Sequence, residues 1–258
     1  MNKKVLLISV DGMRPDGLQA CGNPFVKELE SICSYTYEAK TVFPSVTLPC
    51  HYSMAHSVTP QRHGILTNVF VPQVRPVEGI FEKVKAAGGM TAFFNSWDQL
   101  RDIVTPGTLQ LAAYINYALH ESGDTALTQE TIRMLDSYHP DFAFLFLADT
   151  DNEGHKYGWM SENYIRKISI AMDNIKQIME KLGEEYTVII MADHGGHDRT
   201  HGADIPEDMT IPLFFRGEAF TPGKRLENAS LLDLAPTIAT VMGITPDPDW
   251  EGKPLVNC

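Results

Sequence analysis

Three apolar runs in this chain each close on an aspartate. VLLISV leads to Asp11, FAFLFLA to Asp149 and TVIIMA to Asp193. A short continuous apolar run has no polar face, so it reads as a strand covered on both sides, the interior of a parallel sheet. Similar runs lie at 91–95 and 211–215. Helical patterns fall between them. Residues 79–87 put Ile80, Phe81 and Val84 on one face and stop at Gly88-Gly89, and 125–138 is a second candidate. In 161–182, Ile165, Ile168, Met172, Ile175, Met179 and Leu182 alternate spacings of three and four before Gly183, the stripe of a core-facing helix with its C-terminal stop. Near the end, Asp233 is expected to cap a helix that tolerates Pro236 in its first turn and runs to about Met242. Strands alternating with helices predict an α/β fold, a mostly parallel central sheet with helices on both faces. With 258 residues, 43% of them hydrophobic, the chain can fill such a core. No repeat, low-complexity linker or composition break divides it. A single domain over 1–258 without a large cap insertion is expected. Residues 69–77, with Pro72 and Pro76, read as a loop with the size of a small lid.

The formal net charge of −12 argues against a stable nucleic-acid partner, because such surfaces are basic. It leaves room for a small anionic substrate, since bound cations invert the local charge. The start, MNKKVLLISVDG, has too short an apolar stretch for a secretory signal, and no run approaches the ~20 residues of a membrane span. The expectation is a cytoplasmic protein without a membrane partner. Cys21, Cys33, Cys50 and Cys258 are scattered without CxxC spacing and read as reduced thiols. The oligomeric state is not legible.

Ligands of open α/β sheets bind beyond the carboxyl ends of the strands. Asp11, Asp149 with Asp151, and Asp193 with His194 all fall there. One such aspartate alone is explained as a helix cap. Three, with histidines attached to two of them, favour a metal site. MADHGGHDRTHG (191–202) adds His197, Asp198 and His201, and DTDNEGHKYGW sets Asp151 and His155 four apart, on one face of a helical turn, with Gly154 leaving room for a close approach. Mixed carboxylate and imidazole donors suit zinc or manganese better than calcium. Their number exceeds what one tetrahedral zinc needs, which points to two divalent ions, a recurring device for phosphoryl transfer. FPSVTLPCHYSMAHS supplies hydroxyls and a thiol near the start of a predicted helix; Ser45, Thr47, Cys50 and Ser53 are all candidate nucleophiles on spacing alone, or ordinary capping groups.

SVDGMRPD, FPSVTLPCHYS, HGILTN, DxxGH with its following KYG, and DHG with its later HG resemble the alkaline phosphatase superfamily, and within it the nucleotide pyrophosphatase/phosphodiesterase branch. These motifs span residues 8 to 202, and IPLFF and DLAPTIA extend the likeness. The resemblance implies an alkaline-phosphatase-like fold and a metal-dependent hydrolase of phosphodiesters or nucleotide pyrophosphate bonds. It implies Thr47 as nucleophile, forming a covalent phospho-threonine intermediate. One metal falls to Asp151, His155 and His201, the other to Asp11, Asp193, His194 and the Thr47 hydroxyl. Asn68 hydrogen-bonds a phosphoryl oxygen. The metals implied are two zinc ions, with manganese as the alternative, and the partner is a small phosphorylated substrate. His201 is preferred over His197 because Gly202 follows it. Asp149 is expected to support or cap rather than to bind metal, and His197 to support the site or to be an ordinary loop residue.

A phosphomonoesterase or phosphonate hydrolase on the same scaffold is the close rival. A monoester carries one more negative charge, and no arginine follows Thr47 closely. A sulfatase would need a Cys/Ser-x-Pro-x-Arg pattern that 43–56 lacks, and a mutase a larger inserted domain. A structural zinc protein would close its site with four ligands and needs neither Thr47 nor Asn68. Phe70, Arg75, Trp97 and Tyr157 are candidate pocket residues, each with a structural role as the simpler explanation.

Overall fold

The computed structural model describes residues 3–116 and 123–256; Cys258 lies outside them. The elements run β1 (Lys4–Val10), α1 (Pro15–Ala20), α2 (Phe25–Ile32), β2 (Ser34–Lys40), α3 (Thr47–His56), α4 (Pro60–His63), α5 (Ile80–Ala86), β3 (Thr91–Asn95), β4 (Leu111–Tyr114), α6 (Gly123–Tyr138), β5 (Phe142–Leu147), α7 (Asp149–Tyr157), α8 (Glu162–Leu182), β6 (Tyr186–Met191), α9 (Pro206–Met209), β7 (Thr210–Arg216) and α10 (Leu234–Val241).

All seven strands join one sheet in the order β2-β7-β6-β1-β5-β3-β4. β1 pairs parallel with both β5 and β6, and β3 parallel with β5 and β4. Every residue of β5 and β6 is buried, as a strand with both faces covered requires. One helical group gathers on α8, which packs against α1, α2, α6 and α7; a second joins α10 to α3 and α5. The α8 stripe is core packing, with Ile168, Met172, Ile175, Met179 and Leu182 buried, and Ser161 caps its start by accepting the Tyr164 N–H. The mostly parallel α/β sheet expected from the sequence is present.

Three features depart from that reading. The 211–215 run is antiparallel to both neighbours, β6 and β2. An apolar run reports burial and not direction. At the edges, β2 carries no continuous apolar run, with Glu38 and Lys40 exposed and a register shift between Thr36 and Ala39, and β4 is only the short run LAAY, half of it exposed. Asp233 precedes α10 but does not cap it with its side chain. Its carboxylate accepts the N–H groups of Ser230 and Lys253 instead, pinning the last described segment onto this corner.

Candidate metal centre and active site

β1 lies between β5 and β6, so three chain segments far apart in sequence end side by side. Asp11 follows β1, α7 begins at Asp149 just past β5, and Asp193-His194 follow β6. Gly12 makes the approach possible. Its φ is +66°, and a Cβ there would sit 3.0 Å from Asp151 Oδ1. Its N–H donates to Asp193 Oδ1 at 3.1 Å, and its carbonyl accepts Trp159 Nε1–H and the Tyr164 hydroxyl, both at 2.9 Å. Gly154, on α7, faces Trp159 so closely that a Cβ would fall 2.7 Å from the indole.

Two groups of potential ligands result: Asp11 with Asp193 and His194, and Asp151 with His155 and His201. In the first, His194 Nε2 is 3.3 Å from Asp11 Oδ1 and 3.3 Å from Asp193 Oδ2. In the second, Asp151 Oδ2 is 3.4 Å from His155 Nε2 and its Oδ1 3.7 Å from His201 Nε2. The two imidazoles His194 and His201 stack at 3.9 Å, joining the groups.

The histidines are oriented from behind. Nδ1 of His194 donates to Gly195 O (2.8 Å), Nδ1 of His201 to Ser45 O (2.8 Å) and Nδ1 of His155 to Arg199 O (3.0 Å). A carbonyl only accepts, so each Nδ1 carries a proton, and Nε2 is the ring atom left to face the carboxylates, as a lone pair whenever the ring is neutral. Asp11 Oδ1, Asp151 Oδ1 and Asp193 Oδ2 are buried without a hydrogen-bond partner. With the rings neutral, the state in which imidazole binds metal, acceptor faces acceptor at 3.3–3.7 Å. That arrangement is repulsive in a low dielectric unless a cation sits between, and this donor set fits divalent ions of the zinc and manganese type.

The electrostatics agree. Burial pushes the Asp11 carboxyl well up, and Asp193 and Asp151 add repulsion. Burial also raises Asp151, against the pull of His194 and His155. Burial opposes ionisation of Asp193 too, but His194, His51, the Gly12 N–H and Asp11 outweigh it and leave the carboxyl below its ordinary value. Burial, with His194 beside it, lowers His201 to about 3, so its ring stays neutral near neutral pH.

Of the four candidate nucleophiles, Thr47 alone reaches these groups. It opens α3, and its Oγ1 lies 3.2 Å from His194 Nε2. Ser45 donates to Ala203 O, Ser53 Oγ meets His63 Nε2, and Cys50 is buried beside Thr41, its thiol pushed up by burial. Asn68 Oδ1 accepts the Leu48 N–H at 3.0 Å. A cavity of about 180 Å³ is lined by Asp11, Thr47, Asn68, Trp97, Asp151 and His201, among others. Trp97 is thus at the site. Phe70 lines a separate cavity; Arg75 and Tyr157 line neither. His197 Nδ1 bonds Asp208 Oδ1 at 2.8 Å, and Asp149 pairs with Lys167 at 2.9 Å, so both stand outside the two groups.

Sequence reasoning missed His51, Asp124 and Asn152. His51, one turn after Thr47, donates from Nδ1 to Thr47 O at 2.8 Å, with Asp193 Oδ2 3.4 Å from the same nitrogen, and meets Ser9 Oγ with Nε2. Its i,i+4 spacing from Thr47 was the available signal. Asp124 caps α7, accepting the Ala148 and Asp149 N–H groups at 2.9 Å each, a contact between distant segments that no local pattern announces. Asn152 lines the small cavity.

The family model of type I phosphodiesterase/nucleotide pyrophosphatase matches residues 5–99 and 96–208. Human ectonucleotide pyrophosphatase/phosphodiesterase family member 1 is 26% identical over 218 residues, covering 74% of this chain and 23% of that protein. Human bis(5'-adenosyl)-triphosphatase ENPP4 is 27% identical over 213 residues, covering 74% of this chain and 47% of that one. The chain thus spans about a quarter to a half of these relatives. Among solved structures, murine ectonucleotide pyrophosphatase/phosphodiesterase 5 in complex with AMP superposes with a TM-score of 0.81 at 15% identity, covering 95% of this chain and 96% of that one. The phosphonate monoester hydrolase of Silicibacter pomeroyi gives 0.79 at 15%, covering 98% and 76%. The alkaline-phosphatase-like fold expected from the motifs is met.

Proposed function

The chain belongs to the type I phosphodiesterase/nucleotide pyrophosphatase family, and on that premise we propose that it hydrolyses phosphodiester or nucleotide pyrophosphate bonds through a covalent phospho-threonine intermediate. The observation that carries this reading is the Thr47 hydroxyl, 3.2 Å from His194 Nε2 at the edge of a cluster whose carboxylate oxygens lack partners. Asp11, Asp193, His194 and Thr47 would hold one divalent ion, and Asp151, His155 and His201 the other. When bound, the ions supply Lewis-acid activation of the hydroxyl and neutralise charge on the phosphoryl oxygens.

Thr47 Oγ gives its proton to water and forms a bond to phosphorus as the bond to the leaving oxygen breaks. Water then attacks the phospho-threonine, releasing the phosphoryl product and restoring the hydroxyl. Asn68, held by Leu48 N–H through Oδ1, donates from Nδ2 to a non-bridging oxygen where negative charge grows. His51 fixes the first turn of α3 and with it the aim of Thr47.

A diester is favoured over a monoester because, among the described residues, the lining of the small cavity includes no lysine or arginine to meet the additional charge. The relatives named as a nucleotide pyrophosphatase and a bis(5'-adenosyl)-triphosphatase support a nucleotide as the organic part. A phosphomonoesterase or phosphonate hydrolase is the second reading, favoured by the fold match to a phosphonate monoester hydrolase. The cytoplasmic location expected from the sequence finds no support in relatives named as ectonucleotide enzymes.

The test uses zinc-loaded protein with bis-p-nitrophenyl phosphate, p-nitrophenyl phosphate and the p-nitrophenyl ester of AMP, each with and without chelator. Chelator-sensitive turnover that favours the diesters is expected. Preference for the monoester moves the assignment to a phosphatase, and turnover of none rejects the hydrolase.

A further inference from the structure

A second cavity, about 810 Å³, opens at the same carboxyl edge of the sheet. It adjoins the small one through two segments. Asn68 and Trp97 line the small cavity, Phe70 and Asp98 the larger. Its size is that of a small-molecule pocket. One wall is a patch of the sheet face. Phe93 and Asn95 of β3 stand beside their register partners Ala112 and Tyr114 of β4, and all four line the cavity. Strands in register lie about 4.8 Å apart, so the Asn95 amide neighbours the Tyr114 ring. Tyr114 and Phe70 keep exposed ring surface, while Asn95 is only 6% exposed and its Oδ1 has no hydrogen-bond partner among the described residues. A buried carbonyl without a donor costs about 1–3 kcal/mol, and in an aromatic pocket the group that relieves it is a ligand edge carrying N–H.

We propose that Asn95 determines which organic group this cavity accepts, by hydrogen-bonding the edge of a planar ring held against Tyr114 and Phe70, with its Oδ1 accepting from an exocyclic amino group and its Nδ2 donating to a neighbouring ring nitrogen. This is the pattern of adenine, and an asparagine amide matches it in a bidentate way. On that N6/N7 edge a ring with an oxo group in place of the amino group offers two acceptors, so either orientation of the amide leaves Oδ1 unrelieved. The inference rests on the reading of the substrate as a nucleotide ester.

The experiment compares kcat/KM for the p-nitrophenyl esters of AMP and of IMP, which differ at the 6-position by amino against oxo. The ratio within one protein cancels any general loss of folding or turnover. The wild-type protein is expected to favour the AMP ester by about tenfold. Asn95→Leu, similar in shape without the amide, is expected to bring the ratio to within about twofold. A wild-type ratio within twofold, or a ratio that Asn95→Leu does not move, overturns the proposal. Calorimetric titration of AMP and IMP into zinc-loaded protein separates it from the hydrolase reading. Tenfold tighter AMP binding without turnover supports Asn95 while rejecting the hydrolase. Equal affinities, or binding of neither, reject the role of Asn95 whatever the turnover.

Discussion

The side-chain carbonyl of Asn68 accepts the backbone N–H of Leu48 at 3.0 Å, so the residue that follows Thr47 holds the amide that lines the same cavity. Oδ1 is committed, and Nδ2 is left as the end that can serve a substrate oxygen. Asn68→Ala is expected to lower kcat/KM on a diester by about a hundredfold, the usual cost of one transition-state donor. Asn68→Asp keeps the acceptor for Leu48 but sets a negative charge against the phosphoryl group, so its loss should be larger. Steady-state kinetics of both variants check this, and an Asp variant with wild-type kcat/KM would contradict it.

Thr47→Ala should reduce turnover by about a thousandfold or more, since a nucleophile works as a unit with its surroundings. The six other ligands remain, so zinc content measured by elemental analysis should stay near the wild-type value. Retained turnover would remove the covalent route.

Asp11, Asp151 and Asp193 keep oxygens without a hydrogen-bond partner among the described residues, beside histidine Nε2 atoms. Zinc at about 100 times its dissociation constant should therefore stabilise the fold by about 2.7 kcal/mol. In a chain of this size that raises the melting temperature by several degrees. Differential scanning calorimetry with and without chelator reads it, and superimposable traces would mean that the clusters hold no ion.

Gly154→Ala places a methyl group 2.7 Å from the Trp159 ring. The indole must move, and with it the Nε1–H bond to Gly12 O that braces the Asp11 turn. A loss of about 1–3 kcal/mol in urea unfolding is expected from this overpacking. Weaker zinc binding by the group of Asp151, His155 and His201 should accompany it. A variant with unaltered stability and zinc affinity would show that the contact relaxes freely.

Burial, with Asp149 nearby, raises Asp124 to about 8, against the two backbone N–H groups it accepts. The folded state thus binds this proton more tightly than the unfolded chain. The contribution is fully present below the unfolded pKa and fades as pH rises through the folded value. Wild-type stability should fall between about pH 4 and 8 by a component that Asp124→Asn lacks, so the gap between the two proteins narrows as pH rises. Urea midpoints at pH 5 and pH 8 test the sign, and a gap that widens would refute it.

Much of this site could be read from one dimension because each ligand pair is local. Asp193-His194 and Asp151 with His155 are set by neighbouring residues or one helical turn, and each follows a run whose apolar continuity marks a central strand. Tying Thr47, rather than Ser45, Cys50 or Ser53, to the ligands needed either the family likeness or the fold, because four hydroxyl or thiol groups in one short stretch carry no mark of which one faces a partner. The edge strands escaped for a related reason. β4 is four residues long, and a run as short as LAAY does not by itself separate a strand from a piece of helix or loop. Asn95 escaped because its neighbour Tyr114 comes from another strand, and register across a parallel pair is not written in either strand alone.

The position of β1 also sets an order of assembly. Its two partners are residues 142–147 and 186–191. A chain emerging from the ribosome must carry this largely apolar strand unpaired until residues 142–147 have been made. Asp11 cannot meet Asp193 until later still. Such pairing is non-local and slow to close. The centre therefore cannot mature piecemeal. A truncated product that ends before β6 keeps Asp11 but lacks Asp193 and His194 of the first ligand group and His201 of the second, and so metal competence and completion of the sheet arrive together.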